Sequence, residues 1–345
     1  FNTLLYAGNG NARSITGVGF QPDWVWIKNS SITANHALFD AIRGATKVIG
    51  SNTTTAEATE AQMLTAFGAD GFSVGTDSTV NDNGSNIVSW NWLAGTAISN
   101  NAGSPVGTSL ASSGSVNTTA GFSVVTYASN GNNYTVPHGL GVAPNVVIVK
   151  NRSIDKFWAV YHSSLGNTKA TFLDTTAAAD TDATYWQNTT PTSTVFSVGT
   201  NSGNNSGNAM VAYSFAEKTG YSKFGSYTGN GNADGAFVYT GFKPAWTLIK
   251  RTDSSTGGSW ILFDNKRGAN IINPINVVLA ASNNQSEADW GTAYDCDFLS
   301  NGFKWRFSGT NGYNNTNGAT YIYMAFAENP FVTSTGNGSI PTTAR

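Results

Sequence analysis

One pattern of about a hundred residues runs through this chain three times, and no other feature limits its folding as strongly, because fixed self-similarity defines the folding unit before any strand is assigned. The first copy reads Tyr6-Ala7-Gly8-Asn9-Gly10, then Gly19-Phe20-Gln21-Pro22-Asp23-Trp24-Val25-Trp26-Ile27-Lys28. The third reads Tyr227-Thr228-Gly229-Asn230-Gly231, then Gly241-Phe242-Lys243-Pro244-Ala245-Trp246-Thr247-Leu248-Ile249-Lys250. The middle copy keeps the frame in Tyr127-Ala128-Ser129-Asn130-Gly131 and Pro144-Asn145-Val146-Val147-Ile148-Val149-Lys150. Further on, Leu38-Phe39-Asp40, Val160-Tyr161-His162 and Leu262-Phe263-Asp264 align, as do Trp90-Asn91-Trp92, Tyr213-Ser214-Phe215 and Met324-Ala325-Phe326.

Each copy strings short β-branched and aromatic runs between Gly, Asn and Pro, the pattern of an all-β sandwich or barrel. Only 11% of the 345 residues are charged, whereas Gly numbers 38 and Asn 39, so turn formers replace the chemistry of helix surfaces. The expected fold is all-β: three tandem antiparallel β-sandwich units of jelly-roll or lectin-like kind. Their expected bounds are 1–95, 121–217 and 218–331, with a linker or strap at 96–120 and a polar tail at 332–345. Asn81-Asp82-Asn83-Gly84, Asn204-Asn205-Ser206-Gly207 and Asn315-Thr316-Asn317-Gly318 precede the last strand of each copy and read as hairpin turns. The one helical candidate is Thr55 to Phe67.

A net charge of −2 with no Lys/Arg cluster gives no footprint for nucleic acid, and no run of apolar residues is long enough for membrane insertion as a helix. The opening Phe1-Asn2-Thr3-Leu4 lacks a Met and a signal-peptide pattern, which suits a trimmed or downstream portion of a longer product. Cys296 is the only cysteine, so neither an intrachain disulfide nor a cysteine zinc site can form.

A glycan hydrolase needs two opposed carboxylates, and Asp40 and Asp264 stand at equivalent places, each opening Asp-x-x-Arg-Gly. That spacing suits a local ion pair better than catalysis, and the middle copy replaces it with His162 and Leu165. Asp77, Asn81, Asp82 and Asn83, and separately Asp295 and Asp297, form oxygen-rich loops without the spacing of a calcium loop. His36, His138 and His162 have no neighbour at a catalytic spacing, and the Gly-Asn-Gly segments lead into strands rather than a helix. No enzyme, metal or cofactor is expected. Sugar stacking remains for the tryptophans; most fall in strands, and Trp186 and Trp290, near loops, are the better sugar-facing candidates.

The Gly19-to-Lys28 run, Tyr227-Thr228-Gly229-Asn230-Gly231 and Tyr323-Met324-Ala325-Phe326-Ala327-Glu328-Asn329-Pro330-Phe331 resemble a repeat domain of structural proteins of tailed bacteriophages, especially marine ones, akin to lectin-like or SPRY-like sandwiches. The resemblance covers Leu5 to Phe331 and carries no catalytic or ligand residue. It implies a structural component of the virion, on the surface of the extracellular particle: a tail fibre, a tail-tip protein, or a capsid fibre or decoration protein. The partners implied are other virion proteins and further copies of the chain, with host attachment through a surface glycan as an added role. The alternative is a free carbohydrate-binding lectin-like module, and behind it a glycan hydrolase.

Overall fold

The computed structural model describes residues 1–201, 203–268, 273–289, 294–308 and 312–327. Its β-branched and aromatic runs form antiparallel sheets, and among the described residues α-helix is limited to two single turns, Ser78–Asn81 and Ala183–Trp186. The same strand order recurs in all three copies. In the first it is Asn2–Ala7, Asn86–Trp92, Trp24–Asn29, Ala37–Asp40. The second runs Phe122–Ala128, Ala209–Phe215, Val146–Asn151, Ala159–His162, and the third Ser222–Thr228, Thr320–Ala327, Pro244–Arg251, Trp260–Asp264. A smaller sheet accompanies each: Arg13–Thr16 with Gly71–Val74 and Leu64–Gly68, Tyr134–Pro137 with Val195–Val198, and Phe237–Tyr239 with Gly302–Trp305 and Cys296–Leu299.

Side-chain alternation along the large sheets explains their nearly continuous apolar runs, since both faces are covered. In the first copy Val25 and Ile27 point toward Ile15, Phe72 and Val74 of the small sheet and close a sandwich core. Val147 and Val149 meet Val136 and Phe196 in the second, and Ile249 meets Val238 and Phe303 in the third. The opposite faces carry Trp24, Trp26, Trp92, Val146, Ile148, Phe215, Trp246, Leu248 and Phe326, and these join in a single further core. Its centre is a triangle of equivalent residues: ring centroids of Trp92, Phe215 and Phe326 lie 5.7 to 6.4 Å apart.

Three of the cores thus lie each within one copy, whereas the shared core crosses the expected boundaries at 96–120 and 217–218. The strap reading also needs correction. Thr96–Asn100 and Ser112–Asn117 form a hairpin that pairs with Phe122–Ala128 and, with Lys169–Phe172 and Asp180–Thr181 at the other edge, brings the middle sheet to eight strands. Gly114 permits this approach, because a Cβ there would lie 2.0 Å from the Val124 carbonyl oxygen. The helix expected at Thr55 to Phe67 is absent; Ala58–Thr59 pairs with Lys47–Val48, and Leu64–Gly68 with Gly71–Val74. The tail 332–345 lies outside the described residues.

The three Asn/Gly segments turn the chain, with Gly84, Gly207 and Gly318 at φ of 82°, 82° and 75°, but they are not the expected hairpins: each joins a small-sheet strand to a large-sheet strand with which it does not pair. Their first Asn does more than turn the chain. Asn81 Nδ2 donates to the Asn11 and Gly75 carbonyls, Asn204 Nδ2 to Asn132 and Gly199, and Asn315 Nδ2 to Asn232 and Phe307. Each buried amide thus ties the Tyr-x-x-Asn-Gly loop of its copy to the segment that leaves the small sheet.

Candidate functional site

Both Asp-x-x-Arg-Gly motifs form buried ion pairs, and Arg267 and Gly268 of the second motif edge a surface cleft of about 480 Å³ together with Leu5, Lys266 and Glu287. Asp40 accepts from the Arg43 backbone N–H at 2.8 Å and from Arg43 Nε, with both side chains fully buried. Arg43 also donates to Glu57 Oε2 at 3.0 Å and to the Leu38 carbonyl. Burial works against its charge, but Asp40, Tyr213 and Glu57 more than offset this and leave its pKa raised. Asp264 and Arg267 repeat the arrangement, with Nε to Oδ2 at 2.6 Å and Glu287 beyond.

What these carboxylates face is another copy. Tyr213 Oη of the second copy donates to Asp40 Oδ2 of the first at 2.7 Å, and burial holds that phenol well above its usual pKa, as a donor. Trp90 Nε1 of the first copy donates to Asp264 Oδ2 of the third at 3.2 Å. The middle copy closes the cycle through His162, whose Nε2 lies 3.2 Å from the Tyr323 carbonyl oxygen of the third copy. Its Nδ1 accepts from the Ser164 N–H, so Nε2 carries the proton in the neutral ring.

Three further equivalent positions obey the same cyclic rule. Trp158 Nε1 donates to the Gly50 carbonyl at 2.8 Å, Trp260 Nε1 to Phe172 at 2.7 Å, and His36 Nε2 lies 3.2 Å from the Ala280 oxygen. Buried Lys150 donates to the Thr54 carbonyl, Lys250 to Thr175 and Lys28 to Asn284. Backbone bonds join Glu57 N–H to Arg152, Ala179 N–H to Thr252 and Glu287 N–H to Ser30. Each copy thus grips the one before it, and the first grips the third, giving three seams in a closed ring.

Burial at the seams moves the titrations. The Lys28 and Lys150 ammonium groups are pushed down to about 8 and that of Lys250 to about 7. The His36 imidazole falls well below its ordinary value, through burial and then the nearby Lys28 charge, and His162 drops to about 4. His138, bonded to the Thr192 carbonyl and also lowered by burial to about 4, lies outside the seams. These are interior structural groups.

The oxygen-rich loops use their acids internally: Asp77 Oδ1 caps the Ser78–Asn81 turn through Thr79 N–H, Asp82 accepts from Ser85 Oγ, and Asp297 pairs with Arg306. Among the described residues no group of three His, Cys, Asp or Glu side chains is placed to hold a metal ion.

The tryptophan candidates also change role. The nine described tryptophans are at most 3% exposed. Trp186 packs against Tyr161 and donates to the Lys169 carbonyl, so it is a core residue rather than a sugar-facing one. The slot beside it, edged by Phe157, Tyr185, Asn204 and Met210, encloses about 40 Å³, the scale of a water molecule and too little for a sugar ring. Trp290 lies outside the described residues. Among the described residues the exposed aromatics are Phe157, Phe237 and Tyr239. Aligning the three copies reveals the last two, because Phe237 and Tyr239 stand where the first copy has Ser14 and Thr16.

Comparison with curated proteins and with solved structures finds no match. The seam residues, the turn amides and the shared aromatic core all fall within residues 1–330, which match the family described as a domain of unknown function (DUF7483), and the chain belongs to that family.

Proposed function

We propose that this protein is a non-catalytic structural component of a phage virion, a fibre, tail-tip or capsid decoration protein, built as three copies of one unit fused in a single chain. The observation that carries the reading is the closure of the three seams. The residues whose chemistry is most suggestive in the sequence, Asp40, Asp264, Arg43, Arg267, His36 and His162, are buried there and engaged with partners. A chain that spends its ionisable groups on fixing copies to one another is suited to be a rigid part. The sequence resemblance to phage repeat domains supports placing that part in a particle, together with other virion proteins and further copies of itself.

Mass spectrometry of purified particles tests this. The chain should be found at several copies per virion, and its absence from particles would overturn the reading. A glycan hydrolase is disfavoured because Asp40 and Asp264 each sit in a separate seam, bonded to an arginine.

A further inference from the structure

The three copies act as internal controls for one another: what the fold requires recurs, and what only one copy has calls for another explanation. On the strand Arg13–Thr16 the core residue is Ile15, on Tyr134–Pro137 it is Val136, and on Phe237–Tyr239 it is Val238; each pairs with an equivalent Phe, at 72, 196 or 303. The flanking positions are Ser14 and Thr16 in the first copy and Phe237 and Tyr239 in the third, all exposed; in the second, Thr135 is half-buried against Ser109 and Pro137 is buried. The two rings are 46% and 63% exposed.

Each ring rests on a glycine. A Cβ on Gly302 would lie 3.0 Å from Phe237 Cε2, and one on Gly241 would lie 3.5 to 3.9 Å from Tyr239 Oη, Cζ and Cε1. One side of each ring is thereby supported and the other is left to solvent. Covering a glycine in a sheet can stabilise it, but the first copy has Gly71 opposite Thr16 with no ring above it, so the fold does not demand one. As alternate residues of one strand the two side chains stand about 6.8 Å apart on one face. Lys304 lies across from Phe237 and pairs with exposed Asp234 at 2.5 Å, so the rim is polar and its two charges cancel.

We propose that Phe237 and Tyr239 form a two-ring platform that binds a neutral glycan chain. The apolar CH faces of two neighbouring sugar residues would stack on the rings, and their hydroxyls would meet the Lys304–Asp234 rim. Size favours this occupant over a protein. A large aromatic side chain buries about 150–250 Å² in full, so two half-exposed rings offer roughly 200 Å², against about 800 Å² per partner in a standard protein interface. The balanced rim favours neutral over anionic sugars.

The test is affinity electrophoresis of the full chain through gels holding a neutral β-glucan, a neutral galactomannan or, for comparison, anionic alginate. At least one neutral polysaccharide should retard the protein. The double variant Phe237→Ser/Tyr239→Thr, which carries the first copy's residues, should bind at least tenfold more weakly at unchanged melting temperature, while Tyr239→Phe should keep its retardation. If the double variant does not fold, Phe237→Ala and Tyr239→Ala are run singly and each should weaken binding. Retardation by neither neutral polysaccharide, by alginate alone, or equally in wild type and ring-deleted variants would overturn the proposal. None of these results bears on whether particles contain the protein, so the two readings fail separately.

Discussion

Replacing Asp40 by Asn keeps the side chain's shape and removes only its charge and one acceptor. In the folded chain that carboxylate accepts from the Arg43 backbone, Arg43 Nε and Tyr213 Oη, with its side chain fully buried. An amide turns a donor toward either the guanidinium or the phenol, and Arg43 is left with Glu57 as its sole carboxylate partner. An exposed pair would cost at most about 1 kcal/mol to break, but removing one partner from a buried pair costs about 3–5 kcal/mol. That is a large share of the roughly 5–15 kcal/mol that holds a domain folded. The middle copy supplies the control: Asp40→His combined with Arg43→Leu carries the His162 and Leu165 chemistry into the first copy and deletes both members of the pair. This double change should cost less than about 2 kcal/mol, since replacing a whole buried pair is often near neutral. Urea unfolding followed by tryptophan fluorescence and far-ultraviolet circular dichroism measures both. A loss under about 1 kcal/mol for Asp40→Asn, or a double variant weaker than the single one, would refute the reasoning from buried charge.

Four other outcomes follow from the same geometry. Trp260→Phe leaves the buried Phe172 carbonyl without its indole donor and should cost about 1–3 kcal/mol in urea unfolding. Asn315→Ala frees the Asn232 and Phe307 carbonyls and should cost a similar amount, read the same way. The histidines set an acid limit: their folded pKa values lie below 6.5, so the unfolded chain binds protons first, and stability present above about pH 6.5 falls as pH drops toward 4. His162→Gln, which keeps a donor and cannot titrate, should lose less stability over that interval than wild type in parallel unfolding curves. Finally, residues 121–217 alone should show no cooperative unfolding, because Val146, Tyr213 and Phe215 would lose the partners that Trp24, Trp92 and Phe326 provide; a sharp transition in that fragment would contradict a shared core.

The all-β class and the Asn/Gly turns could be read from the sequence because both rest on local chemistry, apolar runs of strand length and residues that tolerate positive φ; that the turns pass between sheets and are not hairpins could not. The seams could not. Their acceptors are largely backbone carbonyls, at Gly50, Phe172, Ala280 and Tyr323, which leave no mark on residue identity. The His162 substitution reads in sequence as evidence that the Asp–Arg pair is dispensable, whereas the position serves all three seams with different donors. Ser112-Ser113-Gly114-Ser115 has too little β-propensity to be distinguished from a linker, and only the close approach at Gly114 explains the choice of residue. Glu57 lies in what reads as a helical segment; its actual partners, Arg43 and Arg152, come from two different copies.

Fusing three copies in one chain changes what each position is free to do. In a ring of identical subunits a ring pair at the Phe237 and Tyr239 positions would appear three times or not at all. Here the seam positions are held to a common task, so His36 stands where the other copies have Trp158 and Trp260, yet each reaches a neighbour's carbonyl. Outward strand positions carry no such constraint, and there the copies diverge from Ser and Thr to Phe and Tyr. Ring closure removes sticky faces from solvent, which in turn leaves the outer strands free to vary without risking open-ended association. Function should therefore be sought where one copy departs from the other two on the outside of the ring, and structure where all three agree within it.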